Sequence, residues 1–196
     1  MSDTTVDLGP QARVVARLAD AVRDDQLGLP TPCPDYAVRE LLGHLVGLAA
    51  GLRAAGRKES AGTATDPGAT LPELGPDWRA ALPEALDELV ATWRAPAAWQ
   101  GMTRAGGLDL PGAVAGLVTA DELVVHGWDL ARATGQAYAP DEAALKAAHG
   151  LLAPAAPGEG GEGGDGLFGP VVPVPAGASL LDRVIGLAGR DPAWTP

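Results

Sequence analysis

Residues 121–130 read DELVVHGWDL, inside a helical run from Pro111 to Thr134 whose other side chains are largely valine, leucine and alanine. Within it Thr119, Glu122, His126 and Asp129 are spaced by three, four and three residues, which stacks them in one stripe of a helix. Val118, Val124, Val125 and Trp128 surround that stripe. A carboxylate and an imidazole withdrawn from water are costly unless they are paired or bound to a cation. Taken alone, Glu122 and His126 read equally as an ion pair on a solvated strip.

The flanks of this stretch set the architecture. Pro111 suits the first position of a helix, and Gly135 suits its left-handed terminator. Upstream, Val14, Leu18 and Val22 mark a helix over 10–26. Asp35 is placed to cap a second helix over 36–56, whose apolar face carries Val38, Leu41, Leu42, Leu45, Leu48 and Leu52. Trp78, Leu82, Leu86, Leu89, Val90 and Trp93 mark a third helix, with Pro83 either kinking it or lying in its first turn. Residues 96–111 break the helical pattern and read as a connection. A short helix over 141–149 follows, with Gly150 after it and His149 facing the helix dipole. Ser179 caps a last amphipathic segment carrying Leu181, Val184, Ile185 and Ala188. Four long helices with apolar stripes imply an all-α helix bundle over 1–150. Residues 151–196 form a Gly/Pro-rich extension whose tract at 157–166 is flexible and whose terminal helix packs on the bundle.

Composition narrows the function. The 196 residues suit one domain, and 46% hydrophobic with 4% aromatic content suits packed helices. A formal charge of −11 repels nucleic acid and anionic membrane surfaces, so neither is expected as a partner. No apolar run approaches the roughly 18 residues that cross a bilayer, and the start lacks a secretion signal, which points to the cytoplasm. The single cysteine, Cys33, excludes an internal disulfide and zinc sites built from paired cysteines. It reads as a small buried residue ahead of the second helix.

His44 changes the reading of the stripe. It lies among Leu41, Leu45 and Leu48 near the middle of its helix, so His44, Glu122 and His126 can reach one level of a bundle. Two imidazoles and one carboxylate match a zinc-like ligand set with two ligands at i and i+4. Three protein ligands leave a position for water or substrate, as in catalytic zinc sites. Asp129 orients His126 or else pairs with Arg132, and Thr119 stands where it could orient Glu122. Gly43, Gly47 and Gly127 each cost about 1 kcal/mol against alanine in a helix, which calls for close approach at the site or for tight packing.

Three segments, TPCPDYAVRELLGHLVG (31–47), DELVVHGWDLARATGQ (121–136) and GLFGPVVPVPAGASLLDRVIGLAGRDPAW (166–194), carry a family resemblance over nearly the whole chain. The chain resembles the actinobacterial metal-binding proteins of the DinB-like superfamily, related to the N-terminal domain of mycothiol-dependent maleylpyruvate isomerase. The resemblance implies an up-down-down-up four-helix bundle with additional short C-terminal helices. It implies a divalent metal, zinc first and nickel as the alternative, on His44, Glu122 and His126. It further implies mycothiol or a similar thiol as cofactor, and a small-molecule thiol and an electrophile as partners of a monomer or homodimer. About 45 residues follow the short helix, so the separate C-terminal domain of the isomerase is not expected here.

The leading expectation is a metal-dependent S-transferase or isomerase acting on a low-molecular-weight thiol. The alternatives are a metal or small-molecule binding module without turnover, and a helical interaction protein with a vestigial site. Metal binding is expected to weaken as the imidazoles protonate, around pH 6 to 7 for ordinary histidines.

Overall fold

The computed structural model of the chain describes residues 5–59, 71–153 and 170–196. Four helices form the bundle: α1 (Gly9–Asp20), α2 (Val38–Gly56), α3 (Trp78–Trp93) and α4 (Gly112–Thr134). Both α1 and α2 pack against α3 and against α4. The two shorter helices α5 (Glu142–Leu152) and α6 (Leu180–Leu187) follow. Leu41, Leu42, Leu45, Leu82, Leu86, Leu89, Leu123 and Leu130, all predicted or permitted by the apolar stripes, are fully buried in one core. A second cluster joins Val124 and Val125 of α4 to Leu145 and Ala148 of α5, to Val184 of α6 and to Ala188 just after it. The amphipathic face of the last helix thus has its partner surface on α4 and α5.

Helix ends test the local reading. Gly135 ends α4 at φ +70, and Ser179 caps α6 by accepting from the Asp182 N–H at 3.0 Å. Asp35 is not the cap of α2. That helix starts at Val38, and Glu40 reaches back to accept the Ala37 N–H at 3.1 Å. The first helix closes at Asp20, and Asp24–Gln26 form a separate 3₁₀ turn. Pro83 lies inside α3, beyond its first turn. Gly150 is internal to α5, which runs to Leu152, while Asp141 caps it by accepting from Ala143 and Ala144. The flexible tract at 157–166 lies outside the described residues.

One element was unforeseen. Residues read as a broken pattern form an antiparallel hairpin, β1 (Met102–Ala105) and β2 (Leu108–Pro111), so Pro111 ends a strand instead of opening α4. Gly106 and Gly107 turn it at φ +56 and +81, the left-handed pair that a two-residue hairpin turn demands.

The hairpin sits where α2 ends and α4 begins. Thr103 donates to the Ala55 carbonyl at 2.6 Å, Lys58 donates to Ala98 at 2.7 Å, and the Gly112 N–H donates to Gly101 at 2.8 Å. A β-carbon on Gly112 would lie 2.6 Å from the Lys58 ammonium. The C-terminus of α2 therefore meets the N-terminus of α4, and the two helices run antiparallel. Twelve residues back from Gly56 is His44, and ten forward from Gly112 is Glu122. At 1.5 Å per residue these are rises of about 18 and 15 Å, so both side chains reach one level.

Candidate metal centre

His44, Glu122 and His126 do meet. One ligand atom from each lies within 4.8 Å of the others. His126 Nε2 is 3.0 Å and His44 Nε2 is 4.0 Å from Glu122 Oε2. The imidazoles face edge to plane, with ring centroids 4.8 Å apart. Donors about 2.1 Å from a tetrahedral zinc stand about 3.4 Å from each other, close to the 3.0 and 4.0 Å separations found here. The donor types and their spread fit a divalent ion.

The cluster opens to one side. Glu122 is 25% exposed and His44 17%, whereas the His126 side chain is 8% exposed. Tyr36 lies over His44, ring centroids 5.2 Å apart. It is held in a short turn by the Thr31 hydroxyl, which donates to the Tyr36 carbonyl at 2.7 Å and accepts the Cys33 N–H at 3.1 Å. Behind the cluster α4 is clamped. Gln11 donates to the Leu123 carbonyl at 3.0 Å, and Tyr138 donates to the Val124 carbonyl at 2.6 Å.

Asp129 is fully buried, and its Oδ2 lies 3.0 Å from His126 Nδ1. A proton on Nδ1 leaves the Nε2 lone pair aimed at Glu122, which is the tautomer a metal ligand needs. The alternative pairing with Arg132 is not found. That guanidinium donates to the Trp194 carbonyl and lies over the Trp128 ring. Thr119 corrects a second expectation: its single hydroxyl proton goes to the Ala115 carbonyl at 2.8 Å, and so cannot also serve Glu122. Of the three helix glycines, Gly43 admits the backbone of Glu73, and Gly127 admits the Tyr138 ring. A β-carbon on Gly47 would meet nothing, so packing does not explain it.

Charge is concentrated here. Burial opposes the cation on His126, but hydrogen bonds to Asp129 and Glu122 outweigh it and hold the imidazolium to about pH 9. Burial likewise opposes the anion on Glu122, yet its two histidine partners push its pKa well below the usual carboxylate range. The expected protonation around pH 6 to 7 is therefore corrected upward for His126. Without metal, the two carboxylates that hold the imidazole also hold its proton.

Two neighbours escaped the sequence reading. Asp121 is 2% exposed, its Oδ1 has no hydrogen-bond partner, and burial raises its pKa to about 8. The signal was an acid three, four and seven residues before Val124, Val125 and Trp128, on the apolar stripe itself. Arg190 reaches Asp129 Oδ2 at 3.3 Å from beyond α6. Its only trace in the sequence is an arginine placed directly after the helix-ending Gly189. Cys33 is half-buried, and its thiol pKa is raised, first by burial; it stands within electrostatic reach of Arg190 and Asp129. It is outside the metal-capable cluster found among the described residues.

Antiparallel helices that carry two histidines and a glutamate inward, on a bundle followed by short C-terminal helices, define a protein of the DinB-like four-helix class. The comparisons agree. The chain belongs to the family of the mycothiol maleylpyruvate isomerase N-terminal domain, whose model matches residues 8–131. It is similar to an uncharacterized protein of Mycobacterium tuberculosis found in strains H37Rv and CDC 1551, each 35% identical over 123 residues. The match spans 62% of this chain and 62% of those relatives. The crystal structure of mycothiol-dependent maleylpyruvate isomerase superposes with a TM-score of 0.55 at 14% identity. A histidine-to-alanine mutant of that enzyme gives 0.55 at 16%. Each alignment covers 72% of this chain and 65% of the other, and carries the fold. Among the described residues no helix is long and apolar enough to cross a membrane.

Proposed function

We propose that His44, Glu122 and His126 bind one divalent ion, zinc or a similar borderline metal, and that the protein is a metal-dependent transferase or isomerase working on a small thiol. The observation that carries this reading is the convergence of two imidazole nitrogens and a carboxylate oxygen within 4.8 Å of one another on the partly open side of a buried seam. A divalent ion held by these three residues would lower the pKa of a bound thiol and so supply a thiolate near neutral pH. The chain's own groups do the rest. Glu122 and both imidazoles fix the site, Asp129 holds the Nδ1 proton of His126, and Tyr36 narrows the mouth beside His44. The relatives whose names include mycothiol support a thiol of that class as the partner. Residues 1–150 are proposed as the metal-binding unit and 151–196 as an extension docked on it.

Elemental analysis of untagged protein should give close to one equivalent of metal, lost in the variant His44→Ala. Zinc-loaded protein given mycothiol and a panel of electrophiles should then consume the thiol faster than the metal-free form. Stoichiometric metal without that acceleration would leave a binding module and remove the enzyme. Less than about a tenth of an equivalent after zinc addition would remove both.

A further inference from the structure

The Asp129 carboxylate has no exposure, and its Oδ2 lies within reach of two groups from distant parts of the chain: His126 Nδ1 at 3.0 Å and Arg190 Nη2 at 3.3 Å. A buried anion without a cationic partner costs several kcal/mol, so something must accompany it. Arg132 has the right sequence spacing but points to Trp194. Among the described residues, Arg190 is the only arginine or lysine within ion-pair distance of Asp129.

Arg190 is itself held in place. Its N–H donates to the Ile185 carbonyl at 3.0 Å, closing the C-terminus of α6. Its Nη1 donates to Ala188 at 2.8 Å. Gly189 at φ +78 turns the chain so that the guanidinium faces inward. Val184, Ile185 and Ala188 are buried, which fixes α6 against the bundle. The side chain retains 15% exposure, mostly enclosed.

We infer that Arg190 is a positioning residue of the metal centre: it locks the Asp129 carboxylate, which locks the His126 ring, so the C-terminal segment is a working part of the site. The inference rests on the metal reading above. Two donors on one oxygen set both the location and the plane of the carboxylate. With Arg190 gone, Asp129 can rotate and offer either oxygen, and the His126 ring loses its fixed edge. Partners one step behind a metal ligand typically change affinity by 10- to 100-fold. Arg190 stands two steps behind and acts through Asp129, so its effect must depend on that carboxylate.

The test is a competitive zinc titration against a chromophoric chelator on the full chain: wild type, Arg190→Ala, Arg190→Gln, Asp129→Asn, and the double variant Asp129→Asn with Arg190→Ala. Arg190→Ala should weaken zinc binding about tenfold or more, and less than about threefold when Asp129 is already asparagine. An Arg190→Ala protein within threefold of wild type would overturn the inference, as would an equal loss in both backgrounds. If circular dichroism shows Arg190→Ala unfolded, Arg190→Gln, which keeps length and a donor, replaces it with the same thresholds. Unfolding of both makes Arg190 a folding residue and also overturns the inference. A wild-type protein that binds no zinc rejects the metal reading itself, a separate outcome.

Discussion

Two regions of the α2–α4 neighbourhood treat buried polar groups in opposite ways. Where α2 ends, Trp93 donates to Leu52 at 3.1 Å, Trp99 donates to Trp93 at 2.6 Å and Thr103 donates to Ala55 at 2.6 Å. The two indoles meet edge to face at 5.3 Å. These donors are neutral, each has a carbonyl, and none titrates with pH. About 15 to 18 Å along the same helices, His44, Glu122, His126, Asp129, Asp121 and Arg190 crowd together. Asp121 Oδ1, Asp129 Oδ1 and Arg190 Nε there lack partners. The first region is held mainly by neutral donors, with Lys58 and the unpartnered Arg53 Nε at its edge, whereas the second concentrates charge. Sites that break local rules of polar satisfaction are where function is expected.

Substitutions should separate the two regions. His44→Ala or His126→Ala should lower zinc affinity at least 100-fold while leaving the helical spectrum intact, checked by the same chelator competition. At the Trp end, Trp93→Ala should cost about 3–5 kcal/mol in urea denaturation, with zinc affinity unchanged in the folded fraction. A Trp93 variant that alters zinc affinity would mean that the regions are coupled and the contrast false.

Acidity should sharpen the contrast. In the metal-free protein the raised His126 pKa contributes stability that is fully present below about pH 6.5, the unfolded value, and is lost as pH rises through about 9. Asp121, raised to about 8 against 3.8 unfolded, also makes stability fall as pH rises across that interval. Thermal melts of metal-free protein should therefore decline from pH 6 to 9, and Asp121→Asn should flatten the decline. Melts independent of pH would contradict the charge arrangement. Zinc affinity, by contrast, should climb toward pH 9, because the metal displaces the His126 proton.

Smaller effects complete the series. Thr103→Val should cost up to about 1 kcal/mol by removing one of the two donors to the Ala55 carbonyl, which keeps the Lys58 N–H, without touching zinc affinity. Gly47→Ala should stabilise by up to about 1 kcal/mol, since the added carbon meets nothing. Gly43→Ala should destabilise, because its β-carbon would sit 2.8 Å from the Glu73 carbonyl.

The sequence revealed what periodicity encodes and concealed what depends on distant partners. Stripes at i, i+3 and i+4 gave the helices and brought His44, Glu122 and His126 together. Asp129 remained ambiguous because a helix places His126 three residues before it and Arg132 three after. Only Arg190 and Trp194, more than 60 residues further along the chain, decide between them. Gly106–Gly107 carried a legible hairpin signal, lost because the short strands around it resemble an interrupted helix. The Asp35 cap failed because α2 starts at Val38, two residues later than the pattern placed it, which puts Ala37 and not Asp35 at the cap position.

The most direct test is X-ray absorption at the zinc edge on untagged, stoichiometrically loaded protein. The account predicts four nitrogen or oxygen neighbours, two of them imidazoles, with a sulfur at about 2.3 Å only after a small thiol is added. A sulfur neighbour before any thiol, or no imidazole signature at all, would contradict it.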